Sequence, residues 1–251
     1  MEVKRERLPL LDALRGLTII SMVAYHGMYD LVELYGMHAD WYWEAPGYIW
    51  QQSICWTFIL LSGFCWSLGS RPLRRGLLVS VCSLVVTAVT CVFMPSERII
   101  FGILTFTGAA MLVLIPLSGL LEKIPAGWGL AASALLFFLT RNVNMGYWGF
   151  EQITLGRMPD GLYQNLVTTF LGFQAPEFYS SDYFSLFPWL FLYLCGYFLY
   201  RLLGSRRSVL RLLRLRGGFL ETIGRHSLPI YMLHQIVLMA VFMVAVWIGL
   251  L

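Results

Sequence analysis

The stretch ALRGLTIISMVAYHGMYDLVEL, residues 13–34, decides how the rest of the chain is interpreted. It has about the length of 20 residues that an α-helix needs to cross the hydrocarbon core of a bilayer. It nevertheless carries Arg15, His26, Asp30 and Glu33, although ionisable groups are costly inside lipid. Steps of three or four residues place these side chains on a common helical face. The stretch therefore predicts a membrane helix with one polar stripe that serves a function.

Composition supports the same interpretation. The 251 residues are 58% hydrophobic and only 13% charged, and the mean hydropathy is +0.69, whereas soluble domains carry roughly 25% charged residues. These values exclude a disordered chain, a secreted disulfide scaffold and a nucleic-acid-binding protein. The five cysteines lie in apolar runs without C-x-x-C spacing, so we predict no disulfide and no metal site. We expect one integral-membrane domain over residues 1–251.

Apolar windows along the chain predict an all-α fold, a polytopic helix bundle with about seven transmembrane helices. The windows are approximately 13–34, 48–69, 76–94, 99–120, 127–141, 184–204 and 227–250. A cytoplasmic N-terminus places 15 of the 18 Lys and Arg residues on the cytoplasmic side and leaves Arg98, Arg141 and Arg157 outside. The positive-inside rule therefore favours a cytoplasmic N-terminus, and the apolar run behind the basic start is too long for a cleaved signal peptide.

Three segments between the apolar windows are predicted to be more than simple loops. Residues 205–218, SRRSVLRLLRLRGG, alternate Leu and Arg and predict a helix on the anionic inner leaflet, or else a phosphate-binding segment. The Trp-rich residues 35–47 are typical of an interfacial helix on the outer side. Residues 142–183 are long for a loop and apolar in the middle, which favours a partly embedded lid.

Histidines near the outer half of the first window are candidates for catalysis. His26 and Asp30 are four residues apart, so the carboxylate is placed to orient the ring and raise its basicity. His38 lies beside Asp40, where it can reach back over the outer mouth of the bundle. The structural alternatives are a buried His26 that only bonds a neighbouring helix and a His38 that is simply exposed on a loop.

The last window contributes a further histidine. His234 lies about two turns into it, with Gln235 next to it and Tyr231 one turn before. An intramembrane histidine is costly unless it lines a polar cavity. His226, at the start of the helix, is better explained as an interface residue. No Ser-His-Asp order, P-loop, G-x-G-x-x-G or HExxH motif occurs, so the common soluble-enzyme chemistries are excluded.

Five segments, in this order, resemble the heparan-alpha-glucosaminide N-acetyltransferase-like membrane acyltransferases. They are RLPLLDALRGLTIISMVAYHGMYDL (7–31), FILLSGFCW (58–66), ERIIFGILTFTGAAML (97–112), DYFSLFPWLFLYLCG (182–196) and GRHSLPIYMLHQ (224–235). The resemblance covers nearly the whole chain. It implies that acetyl-CoA on the cytosolic side is the acyl donor and that an amine or hydroxyl of an extracytoplasmic sugar or glycan is the acceptor.

The resemblance also assigns positions. His26 matches the polar residue of the first helix, Asp12 and Arg15 match the pair at the helix entry, and His234 matches the histidine of the last helix. His38 lies where family members with a longer first outer segment can carry the catalytic histidine. One position departs from the family, because bacterial relatives often read F-G-I-L-H in the fourth span where this chain has Thr105.

Acyl transfer needs a base for the acceptor's proton and a donor for the developing oxyanion. On this interpretation His26 or His38 is the base, oriented by Asp30 or Asp40, and His234 or Tyr231 is the donor. CoA also carries phosphates, which arginine forks bind well. The predicted phosphate contacts are Arg15, Arg71, Arg74 and Arg75. For Arg74 and Arg75 the alternative is that they only set topology.

Two other classes of function are compatible with the sequence. One is a small transporter or flippase that uses the polar stripe as a proton relay, although no internal repeat is visible. The other is a non-enzymatic scaffold. In each case we expect the bilayer as a partner, a possible homodimer, and a multi-pass location in a bacterial cytoplasmic (inner) membrane.

Overall fold

A computed structural model describes residues 8–204 and 206–250, which are mainly helical. The helices are α1 (Pro9–Glu33), α2 (Ala45–Phe64), α3 (Pro72–Phe93), α4 (Ile103–Leu121), α5 (Ala126–Thr140), α6 (Leu166–Leu171), α7 (Trp189–Leu203), α8 (Arg207–Leu213), α9 (Phe219–Arg225) and α10 (Ser227–Trp247). A short hairpin pairs β1 (Tyr147–Phe150) with β2 (Ile153–Arg157) in antiparallel register. The chain divides into two compact units, one formed by residues up to 61 together with those from 206 onward, the other by 62–204.

Within the first unit, α1 packs against α9 and α10. The crossing of α1 with α9 depends on Gly16 and Gly224, because a side chain at Gly16 would strike the Leu220 carbonyl and one at Gly224 would strike the Asp12 carbonyl. Such small residues let two helix backbones approach closely. Ile19 and Met22 of α1 are buried, so this face forms the apolar core beside the polar stripe.

The second unit is built on two helix pairs, α3 with α4 and α5 with α7. Its core contains the fully buried rings of Tyr193, Phe106 and Phe137. Gly63, near the end of α2, lies directly against the Tyr193 carbonyl of α7, so a side chain at this position would prevent the close packing of the two helices. The hairpin follows α5, and Asn165 caps the short α6 with a reciprocal capping box.

A helix occupies each of the seven predicted windows. Among the described residues, three helices are long and apolar enough to cross a membrane, namely α3, α4 and α10. Their outer faces are apolar and exposed, as at Leu84, Val92 and Met243, which suits contact with lipid. The total of seven transmembrane helices and the cytoplasmic N-terminus stay predictions, and the basic Lys4, Arg5 and Arg7 lie outside the described residues.

Two connecting segments differ from the sequence-based expectation. Residues 35–47 do not form an interfacial helix, because Gly36 turns the backbone to φ +69° and only a 3-10 turn, Asp40–Tyr42, precedes α2. In residues 142–183 the structure has the β1–β2 hairpin and α6, which the long-loop interpretation missed. The Leu/Arg segment does contain a helix, α8, as predicted.

Candidate active site

Two histidine rings meet inside the first unit. His26 of α1 and His234 of α10 have ring centroids 4.8 Å apart and planes at 76° to each other. The Tyr231 ring, one turn before His234, lies 5.5 Å from it. The two histidines were identified separately from the sequence, and the structure brings them into contact.

Backbone carbonyls fix the proton position on both rings. Nδ1 of His26 lies 2.9 Å from the Met22 carbonyl oxygen, and Nδ1 of His234 lies 2.6 Å from that of Tyr231. A carbonyl oxygen can only accept, so in the neutral ring Nδ1 carries the proton and Nε2 keeps a lone pair. In the described part of the chain, Nε2 of His234 is buried and has no hydrogen-bond partner. This nitrogen is therefore an enclosed acceptor that no described group uses.

A second polar pair, Asp30 and Gln235, joins the same two helices. The Asp30 side chain is only 1% exposed. Nε2 of Gln235 donates to both of its carboxylate oxygens, at 2.9 Å each. This arrangement corrects the expectation that Asp30 orients the His26 ring, because the Met22 carbonyl holds that ring and α10 supplies the amide that the carboxylate needs. Asp30 still lies close enough to His26 to act on it electrostatically.

Aromatic side chains anchor the segment after α1 onto this helix. Nε1 of Trp50 donates to the Ser21 hydroxyl at 2.8 Å, and the Tyr42 hydroxyl donates to the Tyr25 carbonyl at 3.3 Å. The Tyr25 ring contacts Tyr42 in a tilted geometry, with centroids 5.0 Å apart, and His26 edge-on, with centroids 6.0 Å apart. Burial, with help from the Tyr25 contact, raises the pKa of Tyr42. The hydroxyl therefore stays protonated and keeps its donor role.

His38 is placed differently. It is exposed, in the linker between α1 and the 3-10 turn, and Asp40 begins that turn and is exposed as well. The ring contact between two histidines joins His26 to His234, whereas the predicted candidate His38 lies on the exposed linker.

The predicted entry pair of α1 is an ion pair in the structure. Arg15 Nη1 lies 2.9 Å from an Asp12 oxygen. Asp12 also faces Arg225 of α9, whose Nε is 3.9 Å from its other oxygen, and Arg225 forms a second ion pair with Glu221. Sequence reasoning missed the role of Arg225, since spacing alone does not show which distant helix α1 meets. Asp12 is thus shared between two arginines.

The other predicted phosphate contacts lie in the second unit, at the start of α3. Arg71 and Arg74 are exposed. Arg75 is half-buried, with its guanidinium packed over Gly69 and its Nη1 enclosed without a hydrogen-bond partner among the described residues. It is close enough to Tyr193 for an electrostatic interaction. Two of these three guanidinium groups are therefore directly accessible, and the third is partly sequestered.

Thr105, where the resemblance predicted a departure from the family, makes a contact between two helices. Thr105 of α4 forms a 2.5 Å hydrogen bond with Ser83 of α3. A hydroxyl in this place cannot act as a base near neutral pH. The pair instead satisfies two polar groups at the interface of two apolar helices.

The apolar helices of membrane-crossing length, α3, α4 and α10, indicate an integral membrane protein. Its candidate site is the polar cluster where α1 meets α10. Residues 7–236 match the family described as Heparan-alpha-glucosaminide N-acetyltransferase, catalytic, and the chain belongs to this family of membrane acetyltransferases. The match confirms the resemblance found in the five sequence segments. The same comparisons gave no significant match among curated proteins or solved structures.

Proposed function

We propose that the protein is a membrane-embedded acetyltransferase that moves an acetyl group from cytosolic acetyl-CoA to an amine or hydroxyl of an extracytoplasmic sugar. Family membership supports the reaction class. The observation that carries the proposal is the His26–His234 pair, in which backbone bonds leave Nε2 as the acceptor and burial leaves it unused in His234. A base prepared in this way suits proton removal from an acceptor.

In the proposed step, the acceptor O–H or N–H gives its proton to Nε2 of His234 while the acceptor atom bonds to the acetyl carbon. The C–S bond of the thioester breaks, and the imidazolium returns the proton to the sulfur, so that CoA leaves as a thiol. The Tyr231 hydroxyl is the proposed donor to the carbonyl oxygen, which becomes negative during attack. His26 and the Asp30–Gln235 pair position His234. His38 is the competing base, on the family resemblance alone.

The donor's phosphates need cations. Arg71 and Arg74 are exposed and present guanidinium forks that match phosphate oxygens. Arg75 is proposed to complete this set from its half-buried position. In the first unit, Arg15 stays a predicted phosphate contact, held in orientation by Asp12 at 2.9 Å.

Transfer assays on histidine variants test the proposal. Protein in lipid nanodiscs is supplied with radiolabelled acetyl-CoA and a panel of amino sugars, and CoA binding is measured separately by calorimetry. We expect His234→Gln to lower kcat by about 10²–10⁴-fold, the usual contribution of a general base. His26→Gln should lower kcat less, because His26 only positions His234, and both variants should retain CoA affinity. His226→Gln is a matched control, because His226 has the same type of Nδ1 bond to a helix carbonyl but is exposed.

Each other outcome has a definite meaning. Loss of transfer in His38→Gln alone would make His38 the base and refute the role of the histidine pair. Wild-type protein that neither binds CoA nor transfers acetyl, but takes up a polar solute in proteoliposomes without acetyl-CoA, would replace the acetyltransferase proposal with a transporter.

A further inference from the structure

The Leu/Arg segment that precedes α9 carries cations that no described group balances. Residues 206–218 contain five arginines and no acidic residue. All five are exposed, and four of them form no ion pair with any described residue, namely Arg206, Arg207, Arg211 and Arg216. Asp12 and Glu221, acidic side chains of the same unit, are already held in ion pairs of their own. The segment therefore presents a positively charged surface.

A pocket of about 460 Å³ opens beside this segment, between the start of α1 and α9. Its lining consists of Pro9, Arg216, Gly218, Glu221 and Arg225. Each of the two guanidinium groups has a fork of N–H donors that matches the oxygens of a phosphate. Arg225 shares its charge with two carboxylates, whereas Arg216 has no acidic partner in the described part of the chain. The pocket therefore has a cation available for an anionic ligand.

Large apolar side chains lie exposed next to these arginines. Leu212 is 54% exposed, Leu215 is 55% exposed and Phe219 is 75% exposed. Apolar surface is unfavourable in water and gains free energy when it enters a hydrocarbon environment. A short segment that combines arginines with Leu and Phe is typical of a chain lying between lipid headgroups and acyl chains. A soluble phosphate compound would use the arginines and leave these apolar side chains in water, so the surface fits an amphiphile better.

The surface also lies next to a membrane-crossing helix. Helix α9 ends at Arg225, and α10, which is long and apolar enough to cross a membrane, begins at Ser227. Two peptide units, about 8 Å at most, separate these residues. The headgroup layer extends roughly 5–7 Å beyond the hydrocarbon core on each side of a bilayer. Arg225 and the pocket that it lines are therefore within reach of lipid headgroups.

We propose that this surface binds an anionic phospholipid, with the phosphate in the pocket at Arg216 and Arg225 and the acyl chains beside Leu215 and Phe219. The two sequence-based alternatives for the segment, a surface helix and a phosphate-binding segment, are then parts of one site. Clusters of arginines beside a membrane helix attract anionic headgroups in the same way. Binding requires no acetyl transfer, so this proposal can fail without affecting the proposed function.

Helix α9 connects the pocket to α1. Arg225 lines the pocket, while Gly224 of the same helix lies against the Asp12 carbonyl of α1. A ligand that binds only the folded protein stabilises it. A phospholipid held at Arg225 therefore also favours the packing of α9 on α1. We expect an anionic lipid to raise the Tm of the protein more than a zwitterionic lipid does.

Two short-chain lipids test the proposal, phosphatidylglycerol and phosphatidylcholine with the same acyl chains, which differ in the net charge of the headgroup. They are titrated by calorimetry into the full chain in neutral-detergent micelles. Arg216→Gln removes the cation that has no described partner, and Phe219→Ser removes the most exposed apolar anchor. The control is Arg157→Gln, which removes an exposed arginine from the second unit.

The two variants should separate the charged part of the site from the apolar part. We expect wild-type protein to bind phosphatidylglycerol at least tenfold more tightly than phosphatidylcholine, and Arg216→Gln to lower this preference about fivefold. Raised salt should lower the preference as well, because it screens exposed charges. Phe219→Ser should weaken both lipids about tenfold and keep the preference. Arg157→Gln should change neither quantity.

Three results would overturn the proposal. The first is an Arg216→Gln variant that keeps the full preference for phosphatidylglycerol. The second is a Phe219→Ser variant that binds both lipids as tightly as wild-type protein, which would exclude the amphiphile. The third is displacement of phosphatidylglycerol by CoA or inorganic phosphate at equal concentration, which would mean that the arginines bind a free phosphate and not a lipid.

Discussion

Replacing Gln235 by leucine tests the polar pair that joins α1 to α10. The amide donates to both oxygens of Asp30 at 2.9 Å, and that carboxylate is 1% exposed. Hydrogen bonds to charged groups contribute about 1.5–3 kcal/mol in proteins. Side-chain pairs inside membranes average about 0.6 kcal/mol and reach about 1.7 kcal/mol. Since both oxygens depend on one amide and water is excluded, we expect Gln235→Leu to lower the free energy of unfolding by about 2 kcal/mol.

The assay is a double-mutant cycle in mixed micelles, with Gln235→Leu, Asp30→Leu and the double variant. Removal of both partners leaves no buried charge without a hydrogen bond, so the double variant should be more stable than the sum of the two single effects predicts. The coupling energy between Gln235 and Asp30 should be about 1.5–2 kcal/mol. Gln174→Leu is the control, because the Gln174 amide donates to the Phe178 carbonyl at 3.3 Å, four residues along the same connecting segment. A coupling energy below about 0.5 kcal/mol, the usual additivity error, would refute the reasoning.

Three further outcomes are expected. Arg71→Ala should weaken CoA binding in calorimetry. The loss of affinity should shrink as salt is raised, because salt screens the attraction between an exposed arginine and a phosphate. A loss of affinity that does not change with salt would contradict a phosphate contact. Burial raises the pKa of Tyr183, whose hydroxyl donates to the Thr169 carbonyl at 2.6 Å. The folded state therefore keeps a proton that the unfolded chain loses above about pH 10. Above that pH the free energy of unfolding should fall by up to about 1.4 kcal/mol per pH unit. In thermal melts, Tyr183→Phe should reduce that alkaline slope, and an unchanged slope would exclude Tyr183 as its source. Gly224→Ala should lower the free energy of unfolding by about 1–3 kcal/mol, because its Cβ would strike the Asp12 carbonyl. Gly127→Ala is the control and should be neutral or stabilising, because its Cβ would lie in open space. Equal effects of the two variants would show that the packing of α1 on α9 does not depend on the close approach at Gly224.

Hydropathy predicted the helices well because each long apolar run must satisfy its backbone groups internally, and a helix does so. The positions of α3, α4 and α10 follow from this requirement alone. Segments between the apolar runs carry no such constraint. The β1–β2 hairpin depends on local turns and strand pairing. In residues 35–47 the positive φ at Gly36 lies just after the end of α1, and the tryptophans that suggested an interfacial helix lie in a 3-10 turn and its flanks instead.

The candidate site was predictable residue by residue but not as an arrangement. His26, Asp30 and His234 stood out because polar groups are rare inside apolar helices. The partner of Asp30 did not, since Gln235 is uncharged and comes from a helix 205 positions further along the chain. Helical spacing favoured an Asp30–His26 contact, whereas Nδ1 of His26 bonds the Met22 carbonyl oxygen one turn earlier in the same helix.

The backbone bonds of the two histidines have a consequence for how such a site can change over time. In many enzymes a carboxylate sets the histidine tautomer, so loss of that carboxylate disables the ring. Here the carbonyls of Met22 and Tyr231 perform this task, and every residue type supplies a carbonyl. The neutral tautomer of each ring is thus set by the helix backbone and does not depend on the side chains around the ring.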